Sequence, residues 1–305
     1  MRAGARLLAP GPALLAAALV VAGLALAGCG GKTDEAEVAM GPIEACIPSR
    51  KDGQRLLGAY LRRVEAAQGY EMFSVTGKAR SSGLPRNLAF DDRKIRRLRG
   101  DGPLTGSRRS TVTPHPGFAA TGTLPAVYAL SYRAEKIDYT GALVVGNSAA
   151  GFEIPTTGRM VHSGRIALTL SLFDAAGGAA VATAEGRFTA SIGFGSGRST
   201  FTVDALQVTS GAALPFATLT WGPLGLCGAR VVSSGQGAIK LVSEDGRKVS
   251  PFLTGRAPTP LRSSFEAAQF AADDRPGPPG RFGGVFLIES DEGTISAVFL
   301  SDGAP

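Results

Sequence analysis

Apolar and polar residues alternate through most of RIALTLSLF (Arg165–Phe173) and of RSTFTVDAL (Arg198–Leu206). A period of two belongs to strands with one buried and one wet face. Similar texture predicts strands over Val127–Arg133, Ile137–Val145, Met160–His162, Ile166–Phe173, Gly186–Phe194, Gly197–Leu206, Phe216–Trp221, Ala229–Ser234, Ala238–Val242, Arg262–Ala271, Phe282–Glu289 and Gly293–Leu300. Turn-forming sequences separate them: Gly177-Gly178, Gly195-Ser196-Gly197, Glu244-Asp245-Gly246 and Asp291-Glu292-Gly293. No helical stretch interrupts this series, which excludes the crossovers of a parallel sheet. One helix is expected, over Ser49–Gln68. There Leu56, Leu57, Tyr60, Leu61 and Val64 recur at helical spacing, and Gly69 supplies a stop.

Many short antiparallel strands must dispose of their edges, and closure does so most completely. The expected fold is mainly β: an antiparallel eight-stranded up-and-down β-barrel over 126–305, preceded by a small N-terminal region, 49–125, that contains the helix. A two-sheet sandwich also fits the alternation. Gly141, Gly193 and Gly284 fall inside predicted strands, where glycine permits the bends of a barrel corner. The 305 residues are 44% apolar and 19% charged, which is enough for a globular core.

Residues 1–28 stand outside this pattern. Arg2 and Arg6 precede an apolar run from Ala13 to Ala27, and Leu26-Ala27-Gly28-Cys29 follows. A charged start, an apolar stretch and small residues describe a secretory signal. Its ending resembles the bacterial lipobox, which implies that Cys29 is acylated as the first residue of the mature chain, with 29–48 as a tether. A plain signal peptide and an uncleaved anchor helix are the other readings, and Pro10 and Pro12 speak against the helix. The expected location is the bacterial cell envelope, lipid-anchored, at the outer membrane.

With Cys29 committed to lipid, Cys46 and Cys227 remain of the three cysteines. In an oxidising compartment they either pair with each other or stay as separate buried thiols. The formal net charge is +7, and Arg80–Arg109 carries most of it, with nine Lys or Arg against three Asp. That stretch is either a solvated face or a contact for anionic lipid or an acidic partner. Nucleic acid is not an expected partner, because only Phe90 interleaves with these charges. No motif for a nucleophile, a metal or a phosphate cradle is present. His115 and His162, with Met40, Met72 and Met160, are the residues that could ligate haem, but no cofactor is expected.

The stretch IPTTGRMVHSG, Ile154–Gly164, resembles the Met-Pro-Thr-Thr-Gly-x-x-x-Tyr-x-Gly signature of the transferrin-binding protein B barrel domain. Pro155, Thr156, Thr157, Gly158 and Gly164 match; Ile154 replaces Met, and His162 stands at the aromatic position. KIDYTGALVVG, EGRFTASIGFGSGRSTFTVDAL and DRPGPPGRFGGVFLIESDEGTISAVF resemble three further family segments in the same order. The likeness covers Tyr128 to Phe299. It implies a non-enzymatic, monomeric surface lipoprotein that binds a protein or a small solute. A structural envelope lipoprotein and a haem- or haemoglobin-binding one are the alternatives. Pro155 fixes φ, Thr156 and Thr157 can bond local backbone, and Gly158 can take positive φ, so this motif is expected to set a turn rather than bind a ligand.

Overall fold

The computed structural model describes residues 55–63, 70–74, 104–105, 110–119, 123–134, 137–147, 149, 155–173, 179–233, 238–249, 262–272, 277–290 and 292–303. All lie within one compact unit, Glu44–Pro305. Six strands form a first antiparallel sheet: β1 (Arg55–Arg63), β2 (Tyr70–Ser74), β3 (Leu104–Thr105), β4 (Ser110–Pro114), β5 (Ala126–Ala134) and β6 (Ile137–Asn147), in the order β2-β1-β6-β5-β4-β3. Where the helix was expected, Arg55–Arg63 is strand β1, paired along its length with β6 from Arg55↔Asn147 to Arg63↔Tyr139. The rest of Ser49–Gln68 lies outside the described residues. The edge of β6 offers a row of backbone donors and acceptors that a strand satisfies and a helix does not. Gly58 in mid-segment also weakens a helix.

The remaining strands close into a ring. They are β7 (Arg159–Phe173), β8 (Ala179–Gly193), β9 (Arg198–Ser210), β10 (Thr218–Cys227), β11 (Arg230–Val232), β12 (Ala238–Val242), β13 (Lys248–Val249), β14 (Arg262–Ala271), β15 (Pro279–Ser290) and β16 (Gly293–Ser301). Eight of them follow one another around the circuit β7-β8-β9-β10-β11-β14-β15-β16 and back to β7, all antiparallel. The short β11 closes the circuit. It pairs with Gly225–Cys227 of β10 on one side and Glu266–Ala268 of β14 on the other. The first half of β10 pairs instead with β12, so the β12–β13 hairpin branches from the ring. The switch falls at a register shift between Trp221 and Leu224. Pro223 lies there, where the missing N–H costs no ladder bond. The ring starts at Arg159; Ala126–Asn147, grouped with the barrel in the sequence reading, supplies two strands of the first sheet.

The inside of the ring is filled. Phe188, Phe201, Trp221, Phe265, Phe282, Phe286 and Phe299 are all buried and in mutual contact, with Phe201 and Phe299 ring centres 4.6 Å apart. Burying such a side chain contributes roughly 1.5–3 kcal/mol relative to exposure. The first sheet packs on the outer wall. Val127, Ala142 and Val144 form one apolar cluster with Ala167, Ala268, Phe270, Val285, Val298 and Leu300 of the ring. Strand β16 is therefore buried on both faces at every position, and it reads as an apolar run rather than an alternation. Gly146 permits the close approach: a Cβ there would lie 2.5 Å from the Phe270 ring.

Candidate functional site

Each ring strand runs between two mouths. At one mouth β7, β9, β11 and β15 begin while β8, β10, β14 and β16 end. Here the sequence motif takes its place. Pro155, Thr156, Thr157 and Gly158 are exposed, and Gly158 has φ 84°, a conformation open to glycine. The Phe194 N–H donates to the Gly158 carbonyl (3.0 Å), and the Leu226 N–H donates to the Gly197 carbonyl (3.0 Å). The turn thus rests on the β8–β9 hairpin, which in turn rests on β10. Cys227 ends β10 at this same mouth, is 4% exposed and is disulfide-bonded. Cys29 and Cys46 lie outside the described residues.

Just inside this mouth the filling changes character. His162, Ser199 and Gln269 are buried, and no described residue hydrogen-bonds either His162 nitrogen, Ser199 Oγ or either polar atom of the Gln269 amide. His162 stacks on Phe282 with ring centres 5.5 Å apart, and Phe282 is the cross-strand partner of Gln269. Burial lowers the His162 pKa from 6.5 to about 4, so the imidazole is neutral. His115 sits elsewhere, in the connection from β4 to β5. Its Nδ1 accepts the Gly117 N–H (3.1 Å), its ring meets Phe118 edge-on at 5.3 Å, and burial likewise lowers its pKa to about 4. Of the other candidate haem ligands, Met160 packs on the ring core, Met72 lies in β2, and Met40 is outside the described residues. Among the described residues no three His, Cys, Asp or Glu side chains are grouped to hold a metal ion.

At the opposite mouth β7, β8 and β9 run on past the start of β10, and a cavity of about 620 Å3 opens beside them. That size falls within the range of about 300–1,000 Å3 typical of ligand pockets. Leu206 and Val208 of β9, Leu214 and Phe216 of the β9–β10 connection and Val249 of β13 give it an apolar lining. The β12–β13 turn gives it a charged rim. There Arg247 pairs with Asp245 (3.1 Å), whereas Glu244 and Lys248 have no ion-pair partner among the described residues. Val208 is 43% exposed, one of the few large apolar side chains left open to solvent.

A slip in β9 makes this wall apolar. Between Arg187↔Asp204 and Glu185↔Gln207, β9 places two residues opposite the single Gly186. Ala205 there has φ 49°, in the left-handed region. Before the bulge Ser199, Phe201 and Val203 point into the ring; after it Leu206 and Val208 line the cavity. Without the extra residue Ala205 and Gln207 would take those places. Leu206, Phe216, Glu244 and Asp245 are legible in the sequence as strand and turn residues, but not as parts of one site. The adjacent apolar pair Ala205-Leu206, which breaks the alternation, is the signal that marks the slip.

The described residues thus define a closed antiparallel ring with a filled interior, a sheet docked on its wall and a cavity at one mouth. No protein-family model matches the chain, and no curated protein matches it. Solved structures similar to it include transferrin binding protein B from Haemophilus parasuis (14% identity, 82% of this chain and 45% of that one, TM-score 0.42). Transferrin binding protein B from serogroup B Neisseria meningitidis is similar at 15% identity, over 81% and 43%, with a TM-score of 0.41. The haemoglobin receptor HpuA from Kingella denitrificans is similar at 9% identity, over 84% and 89%, with a TM-score of 0.35. The resemblance read from the sequence is to this same group. The chain spans less than half the length of the transferrin-binding proteins it matches.

Proposed function

We propose that the chain is a non-enzymatic bacterial envelope lipoprotein, anchored through acylated Cys29, whose up-and-down β-barrel binds a protein partner at the mouth that carries the cavity. The observation behind this reading is the division of the ring: aromatic side chains fill its interior, while the opposite mouth presents a cavity with an apolar wall and a charged rim. A filled barrel offers its rim and outer wall to partners rather than its lumen. The lipobox-like Leu26–Cys29 supports the anchor.

The proposal includes a Cys46–Cys227 bridge, and the backbone supports its reach. The Gln269 N–H donates to the carbonyl of Ala229, two residues past Cys227, and the Gln269 carbonyl accepts the Ala149 N–H. Asn147, two residues before Ala149, pairs with Arg55. Arg55 is therefore close to the mouth where β10 ends, and Cys46 is nine residues upstream of it. At up to about 3.3–3.6 Å per residue that span is ample. Such a bridge would bring the lipid tether out at the mouth holding the Pro155–Gly158 turn, which would leave the cavity pointing away from the membrane. Pro155, Thr156, Thr157 and Gly158 then have a bracing role.

The test is site-specific photo-crosslinking of the full-length lipoprotein in intact cells. A crosslinker at Lys248, on the cavity rim, is expected to give one discrete adduct, and the same group at Thr156 none. Adducts from Thr156 alone would reverse the assignment of the mouths. The absence of adducts from either position would leave the structural envelope reading in its place.

A further inference from the structure

The cavity mouth carries a second feature besides its apolar wall. Strand β10 pairs with β9 only from Arg198 to Val203. From Asp204 to Ser210, β9 has β8 on one side and no strand on the other among the described residues. These seven residues are mostly exposed. An unpaired strand edge is a template for another strand, and natural proteins usually blunt one with charge, proline or a cover. On this edge Asp204 is the single charged residue, at its start.

Resting on the partner-binding reading above, we infer that the site takes an extended peptide segment of its partner, which adds as a strand to Asp204–Ser210 and seats an apolar side chain against Leu206 and Val208. Both halves of the recognition are present. Main-chain hydrogen bonds to a free edge give affinity, and a pocket beside it selects alternate side chains. The bulge at Ala205 joins the two, because it turns Leu206 and Val208 toward the cavity on the segment that leaves β10. The rim makes the occupant a peptide rather than an acyl chain. Glu244 and Lys248 stand at the mouth with no ion-pair partner among the described residues, one of each sign, and they complement the mixed charges of a polypeptide. A hydrocarbon chain would leave them and the strand edge without partners.

The experiment selects peptides from a displayed library of seven-residue sequences against the full-length protein. Enriched peptides are expected to alternate apolar and polar residues. Their binding should weaken roughly tenfold or more in Val208→Glu, as when an interface anchor is lost. It should weaken similarly when alternate amides of the peptide are N-methylated, which removes the ladder donors while leaving the side chains. Val161→Glu, at an equally exposed valine near the other mouth, serves as the control and should change nothing. Binding that survives N-methylation at every alternate amide would overturn strand addition, as would enriched sequences without alternation or no enrichment. Palmitate that binds with loss in Val208→Glu, where the peptides do not bind, would make the occupant an acyl chain. A partner adduct from Lys248 that persists in Val208→Glu would remove this inference while leaving the partner-binding reading intact.

Discussion

At position 146 a side chain has no room. A Cβ on Gly146 would meet Pro125 at 2.9 Å and, at 2.5 Å, the Phe270 ring, which is packed between the first sheet and the ring wall. Gly146→Val should cost roughly 1–3 kcal/mol, the usual range for overpacking. Urea denaturation of the full chain reads this directly, and an unchanged midpoint would mean that the sheet does not press on the ring at this point. The two histidines give a prediction in pH. Each is lowered from 6.5 to about 4 by burial. As pH falls below 6.5 the unfolded chain takes up protons that the folded chain refuses until about pH 4. Stability is therefore full above pH 6.5 and is lost across the window from 6.5 down to 4. For fully buried His162 the loss is on the order of 3 kcal/mol; partly exposed His115 contributes less. His162→Phe should flatten this acid slope and leave stability at neutral pH equal or higher, because it removes two buried nitrogens with no partner among the described residues. An acid slope identical to that of the parent would show that His162 does not stay neutral in the fold.

At the scale of the element, the period of two was legible wherever one face of a strand is wet. It locates β7, β8, β9 and β10 and the Gly195-Ser196-Gly197 turn between β8 and β9, although it splits β7 in two and starts β8 at Gly186 rather than Ala179. It survived in β16 as an apolar run, since both faces there are covered. It could not say which strands are neighbours. Alternation reports the inside and outside of a sheet, so β5 and β6 read as barrel strands although they pair with β1 and β4. It misled at β1, where Leu56, Leu57, Tyr60 and Leu61 fit a helical stripe and the unsatisfied edge of β6 decided the outcome. The cavity was illegible for a related reason: its walls come from β9, a connection and a branched hairpin, which come together only because β9 and β12 both pair with β10. Ala205 is the testable hinge of that site. Its φ of 49° suits glycine and opposes β-branched residues. Ala205→Val should lower the melting temperature, by the equivalent of about 1–2 kcal/mol. Ala205→Gly should not. If valine is accommodated without loss, β9 does not carry the slip that faces Leu206 and Val208 into the cavity.

For the whole molecule, the ring and the first sheet are held together by apolar contact and by the chain that runs between them, and a covalent tie would add to both. Cys227 is disulfide-bonded at the end of β10. If its partner is Cys46, the closed loop encompasses the first sheet and half the ring. Breaking it should then cost about 2–5 kcal/mol, as removal of a native bridge commonly does. Three variants test this pairing against one with Cys29. Cys46→Ser and Cys227→Ser should each lower the denaturation midpoint by the same amount, and the double variant should lower it no further, because one bond can be lost only once. Proteolysis without reductant should yield a single linked peptide pair containing both residues. Additive losses, or a linked pair containing Cys29, would dissolve the bridge. The cavity mouth would then no longer be held facing away from the membrane, since only the bridge fixes the mouth from which the tether departs.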